Sequence, residues 1–437
     1  MTRRAQAGAA TAVVVVCVGA VLASAGSGGT SHCGGPNGAP VTLSGPDRRS
    51  PAVASDGAGT IEALWESNTG GPIERSSRSA GTWSVPTAVS GPAGRAPVIA
   101  LTATGGGAAA WERSTDRATT TIEVTLRDTA GIWGPVTALT ASGAKAHEPQ
   151  VGITGDGTTV VVWRRDTAGA RATVIEVAER PAGGGWTPPT MLSDPARRST
   201  HPRLAVAVNG TAVVTWQQSD AVVMAAGRRA DGAWAAPVRV SDPGSGGRLA
   251  EVAIGPTGSA TAVWLGGTGG SVFAATQPDD AQWSPPTLLD DATTGPRPAP
   301  GIGRTAIGPD VTVLADGRSA ATWLRADGRT NRVMYGARDA DGTWSPARAL
   351  SAPQTQAGGV QIVGVAGGSA LVGWDELDAG LVRGRLARID GATAGQTCTD
   401  VTAARTETGA LQLVGGATPL AVFVELNRSR IQATAAR

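Results

Sequence analysis

Tryptophan returns along this chain at nearly even intervals, and few folds accommodate that. Trp65, Trp111, Trp163, Trp216, Trp264, Trp323 and Trp374 lie 46, 52, 53, 48, 59 and 51 residues apart, and Phe423 fills the next station 49 further on. Gly- and Trp-rich repeats of roughly 40–50 residues mark a β-propeller, in which each repeat is one four-stranded blade. No single blade can bury its own apolar face, so neighbours must stack. The expected fold is all-β.

The Trp216 repeat shows the internal pattern: a first run Pro202–Val208, the turn Asn209-Gly210, a second run ending at Trp216, a third run Ala221–Arg229, the turn Asp231-Gly232, and a fourth run from Trp234. Short alternating or β-branched runs closed by such turns read as hairpins. Six residues before each core aromatic stand Gly59, Gly105, Gly157, Gly210, Gly258, Gly317 and Gly368, with Ala417 the departure. A glycine that regular implies a backbone demand. Two residues before each aromatic stand Ala63, Ala109, Val161, Val214, Ala262, Ala321, Val372 and Ala421. On the same strand face as the indole, these small residues let blades approach while the indole fills the gap. A second series, Trp83, Trp133, Trp186, Trp234, Trp283 and Trp344, follows Arg78, Arg127, Arg180, Arg228, Gln277 and Arg338 across a turn. Stacking of Arg on indole is the expected contact there, a cation–π pair of about 0.5–1 kcal/mol.

Seven repeats between Pro51 and Ala403 contain all four runs, whereas the C-terminal repeat supplies three. The segment Ala39-Pro-Val-Thr-Leu-Ser matches the missing fourth. Three strands from one end and one from the other complete an eighth blade and remove the free edges. The expectation is eight four-stranded blades closed in this way, with seven as the alternative. Residues 26–437 then form a single domain.

Residues 1–25 read as a secretory signal: Arg3-Arg4, an apolar run Ala9–Leu22, then Ala23-Ser24-Ala25. The product is expected to be secreted; an uncleaved signal anchor tethering it to a membrane is the alternative. Cleavage removes Cys17 and leaves Cys33 and Cys398, which outside the cytosol are expected to form a disulfide pinning the terminal strand.

Ligand sites gather on loops held by a rigid scaffold, here the loops around one mouth of the channel. Arg49, Arg95, His147, Thr200, Arg248, Ile307, Gly358 and Glu407 precede the first strands; Lys145, Arg197, Arg198 and His201 crowd the same loops. The candidate ligand-binding residues are therefore Arg49, Arg95, His147, Arg198, His201, Arg248, Glu112 and Arg164. Clustered cations would recruit carboxylate, sulfate or phosphate. Glu66, Glu112, Arg164, Arg165, Asp375, Glu376 and Glu425, after the second strands, could pair with them and neutralise the field, and Glu66, Glu112, Asp375 and Glu376 could instead serve a glycosidase as facing carboxylates. Net charge +2 and a single lysine exclude a nucleic-acid coat. There is no G-x-S-x-G or H-E-x-x-H, and Gly301–Ala306 in the long Asp290–Pro309 connection lacks the strand and helix of a nucleotide fingerprint. No metal or cofactor is expected.

The P-x-V-A, D/N-G, A-x-W and G-x-W-x-x-P elements across nearly all the mature chain resemble bacterial secreted propellers of the sialidase-like (BNR or Asp-box) group. That resemblance implies six blades, a Tyr nucleophile paired with Glu, an acidic proton donor and three arginines. The Asp box itself is not formed, because Ser55-Asp56-Gly57 precedes Trp65 by too many residues. The only tyrosine is Tyr335, in a third strand where Met224 and Phe273 take comparable stations in other repeats. The expectation is thus a non-catalytic binding module for a carbohydrate, an anionic small molecule or an extracellular protein. Its alternatives are a sialidase-like glycoside hydrolase and a lectin with repeated sites between blades.

Overall fold

The computed structural model describes Cys33 and residues 39–436, apart from 115, 117, 168–171, 268, 279–281, 292–307, 354, 379, 391–396, 403–407 and 417–418. The signal segment and Gly301–Ala306 lie outside the described residues. These residues form antiparallel sheets, and the only helical element among them is the 3₁₀ turn Ala366–Gly368. The Trp163 repeat is representative: strands Ala146–Ile153, Thr159–Asp166, Thr173–Arg180 and Thr190–Met191 pair in chain order. The Trp323 and Trp374 sets are joined into one eight-stranded sheet by a single parallel pair, Asn331 with Gln356. The last sheet contains Thr408–Val414, Leu420–Glu425 and Arg430–Ala435, with Val41–Thr42 as its outer strand. The two ends of the chain therefore share one sheet, as the 3+1 reading expects.

Each sheet shares a buried apolar cluster with the next, and the Phe423 sheet shares one with the Trp65 sheet. The seven core tryptophans and Phe423 are at most 1% exposed and anchor these clusters. The glycines six positions earlier all take positive φ, from 73° at Gly368 to 119° at Gly59, which is the backbone demand behind their spacing.

A buried indole N–H needs an acceptor. Trp65, Trp111 and Trp163 donate to Glu74, Glu123 and Glu176, directly opposite on the third strand, at 2.9–3.0 Å. The same carboxylates hold Arg48, Arg113 and Arg165. Trp323 and Arg325 share Asp290, which ends a strand and so does not belong to the long connection. Met224 and Phe273 occupy the opposing station at Trp216 and Trp264, whose indole nitrogens have no acceptor among the described residues; Phe273 stacks on Trp264 instead.

Two readings of the sequence are corrected. The equivalent of Met224 and Phe273 in the Trp323 repeat is Met334; Tyr335, one residue on, faces the other side of the strand and is buried in the cluster beneath Arg348. Arg127 and Arg228 do not stack on the second tryptophan series. They reach the carbonyls of Gly105 and Gly210 and pair with Glu62 and Glu179 of the preceding repeat. A buried carboxylate outcompetes an indole face for a guanidinium because the charges are fully opposed. The tryptophans of that series are half-buried between sheets; Trp234 donates to Glu179.

Candidate functional site at the mouth end of the sheets

The first strand of most repeats is interrupted by a bulge. Register shifts follow Arg49, Arg95, His147, Thr200, Arg248, Gly358 and Gly409, and the next residue is left-handed in each case: Ser50, Ala96, Glu148, His201, Leu249, Gly359 and Ala410, with φ of 47–66°. A bulged residue drops out of the ladder, so its N–H must find another partner.

The neighbouring repeat supplies it. Glu66 accepts from Ala96 N–H at 2.7 Å, Glu112 from Glu148 N–H at 2.9 Å, Glu148 from His201 N–H at 2.9 Å, and Asp375 from Ala410 N–H. Three of these acids directly follow a core tryptophan. The acids that could have faced a substrate are therefore clamps between sheets. Glu376 is engaged too, accepting from Trp374 and pairing with Arg385.

The cations divide into two groups. Arg49 holds Glu66 at 2.5 Å, His147 lies 3.3 Å from Glu112, and Arg164 sits 3.7–3.8 Å from Asp166 and Glu148. These four candidates (Arg49, His147, Arg164 and Glu112) complete the clamps. His201 is half-buried, and burial pulls its imidazole pKa down against the opposing pull of Glu148. That burial biases the ring toward its neutral form. Arg95, Arg198 and Arg248, together with Lys145, have no acid within ion-pair distance among the described residues, and all but Arg248 are exposed. Of the cations expected to attract an anion, these alone retain that capacity.

Two cavities adjoin this end. An open cleft of about 820 Å³ lies between the Thr140–Lys145 linker and Arg165, Asp166, Thr167, Ala172, Thr173 and Glu176 of the Trp163 repeat. It falls within the span of small-molecule sites, roughly 300–1,000 Å³. A second space of about 70 Å³ lies among the first strands. Two residues beyond each bulge it receives Gln150, Arg203, Glu251, Gln361 and Gln412, and Asp310 joins them; Ala52 and Val98 are the apolar counterparts in the first two repeats. Arg203 holds Glu251 at 2.6 Å, and Asp310 accepts from Ile362 N–H at 2.9 Å. Burial, reinforced by the negative charge of Glu251, pushes Asp310 up to about 7. Sequence reading passed over this trio. The available signal was a charged residue alternating with valine and isoleucine in an otherwise apolar first strand.

Cys33 and Cys398 are joined, the latter on the outer strand Thr397–Asp400 of the Trp374 repeat. Among the described residues no three His, Cys, Asp or Glu side chains group to hold a metal, and no helix is long and apolar enough to cross a membrane.

No family model and no curated protein matches the chain. Among solved structures, the BP39L lectin from Burkholderia pseudomallei aligns at 14% identity with a TM-score of 0.54, over 82% of this chain and all of the lectin. The fold is that of a β-propeller. The α-L-arabinofuranosidase of Fusarium graminearum (12% identity, TM-score 0.43, 77% of this chain and 92% of that one) and the intramolecular trans-sialidase from Ruminococcus gnavus (13%, 0.40, 79% and 94%) align more loosely.

Proposed function

We propose that residues 26–437 form one exported propeller of eight blades, closed by the N-terminal strand, whose mouth binds an anionic carbohydrate without chemically altering it. The shared clusters between consecutive sheets, including the last and the first, support the ring. The disulfide suits an oxidising compartment outside the cytosol, reached by way of the 1–25 signal.

One observation carries the binding reading: the acids after the second strands are engaged in clamps, while Arg95, Lys145, Arg198 and Arg248 have no acid partner among the described residues. The remaining field is positive and lies on a rigid frame. The structural likeness to a lectin is compatible with a sugar as ligand. A glycoside hydrolase would need two carboxyl groups facing a space that admits a sugar. The best-placed pair, Glu251 and Asp310, faces only about 70 Å³, well below the usual size of a ligand site.

Replacing Arg95, Arg198 and Arg248 together with Ala removes no ion pair among the described residues and should leave the fold intact. On an array of sulfated, uronate-bearing and neutral glycans, the parent should be retained by anionic members in a salt-sensitive manner. The triple variant should bind them at least about tenfold more weakly, the equivalent of about 1.4 kcal/mol. Equal retention of parent and variant would overturn the reading.

A further inference from the structure

We infer that the small space among the first strands binds a monovalent metal cation, sodium or potassium, through side-chain oxygens of Gln150, Glu251, Asp310 and Gln412. The site is separate from the mouth and does not depend on what the mouth binds.

Repetition brings these residues together. Gln150, Arg203, Glu251, Asp310, Gln361 and Gln412 each pair with the residue immediately before the core aromatic of their own repeat. They therefore stand at one level in six successive repeats, and all six line the same space of about 70 Å³. That volume is too small for a sugar ring but exceeds the share of about 30 Å³ that one water takes in the liquid.

The amides leave oxygens for a ligand. Gln150 and Gln412 are 4% and 8% exposed, and each donates its N–H to the carbonyl of the preceding residue, Pro149 at 2.8 Å and Leu411 at 3.1 Å. Neither amide oxygen accepts a hydrogen bond among the described residues. Gln361 is turned the other way, its oxygen taken by Leu413 N–H at 3.1 Å, and so is no ligand. Each Asp310 oxygen accepts one N–H, from Val311 or Ile362, at 2.9 Å and keeps a lone pair. Glu251 gives one oxygen to Arg203 at 2.6 Å and retains the other. Buried acceptors without donors are costly, and one cation satisfies several together.

Charge sets the valence. Among the described residues, the charged side chains lining the space are Arg203, Glu251 and Asp310. Arg203 offsets Glu251, and its Nη1 is committed to Pro202 O at 3.0 Å. A single negative charge is left over, where an unbalanced buried charge is strongly unfavourable. One sodium or potassium ion cancels it. Calcium would turn the deficit into an equal positive excess beside Arg203, and it prefers about six to eight oxygens.

Thermal melts of the full chain in choline, sodium, potassium and calcium chloride of equal ionic strength test this, with equilibrium dialysis against radioactive sodium and rubidium to count bound ions. The parent should melt about 3 °C higher in sodium or potassium than in choline, because an ion that binds only the native state stabilises it. Dialysis should find a single ion per chain. Asp310→Asn removes the charge and should abolish the difference between these salts. Gln150→Leu removes one oxygen and no charge; it should weaken ion binding about tenfold while melting in choline within about 2 °C of the parent. A parent that melts alike in choline, sodium and potassium overturns the inference, as does a difference that survives in both variants. A rise confined to calcium overturns it too. None of these outcomes bears on glycan retention at the mouth.

Discussion

A variant lacking residues 1–44 will melt at least about 10 °C below the parent or accumulate as aggregate. Val41 and Thr42 pair with Ala433 and Gln432, Leu43 N–H donates to Ile431 O at 2.8 Å, and Ser44 Oγ accepts from Ile431 N–H at 2.8 Å. Leu43 is 4% exposed and shares a cluster with Val53, Trp65, Val424 and Ile431. Emptying a leucine site of this kind costs about 2–5 kcal/mol, and each lost hydrogen bond about 1 kcal/mol. The disulfide goes as well; it closes a separation of 365 residues, and such crosslinks typically contribute about 2–4 kcal/mol. Together these approach the whole stability of an ordinary domain, about 5–15 kcal/mol. The truncation also leaves Arg430–Ala435 with a bare edge. Circular dichroism melts and size-exclusion chromatography decide the matter, and a truncated monomer melting within about 2 °C of the parent would show that the terminal strand is dispensable.

Asp375→Asn will stabilise the protein at alkaline pH and do little in acid. Asp375 clamps Ala410 as Glu66 clamps Ala96, but Gly358 stands in register with it where Arg49 stands in register with Glu66. Without that guanidinium, burial pushes the carboxyl up to about 8, and one of its oxygens has no hydrogen-bond partner among the described residues. Between its ordinary value of 3.8 and about 8, the native state binds the proton that the unfolded state releases. Stability is therefore complete below the lower value, falls as pH rises through the interval, and levels off above the upper one. The loss is about 6 kcal/mol at most. Asparagine can accept the same N–H and does not ionise. The variant's advantage in melting temperature should be small near about pH 4.5 and reach roughly 5 °C near about pH 8.5. A difference that does not change with pH would mean that Asp375 is not buried as described. Asp310 should behave alike over a lower interval, since it is pushed up only to about 7.

The features legible in the sequence are those fixed at one offset in every repeat. The indole, the glycine six residues before it and the small residue two before it lie on one strand or one tight turn, so chain distance and spatial distance agree. The carboxylates that receive the indole N–H do not share this property. Glu74, Glu123 and Glu176 follow their tryptophans by 9, 12 and 13 residues, because the hairpin between them varies in length while the register does not. The bulges were hidden for another reason: Ser50, Ala96, Glu148, His201 and Leu249 have no side-chain chemistry in common, only a positive φ. The cations before the first strands are visible in the sequence, but their partners are not. The acid that neutralises Arg49 comes from across its own sheet, and the amide which that acid also holds lies 30 residues on, in the next sheet. Fold was thus readable from repetition, whereas the binding proposed above depends on which charges survive pairing.

The most direct test of that division of labour is a titration of Glu112→Ala with the anionic glycan that the parent binds, accompanied by a thermal melt. Glu112 holds both His147 and the Glu148 amide, so its loss should lower the melting temperature by several degrees. Glycan affinity should remain within about twofold of the parent. Loss of binding or of glycan turnover with an unchanged melting temperature would instead make Glu112 a ligand or catalyst, and the mouth acids would no longer be clamps.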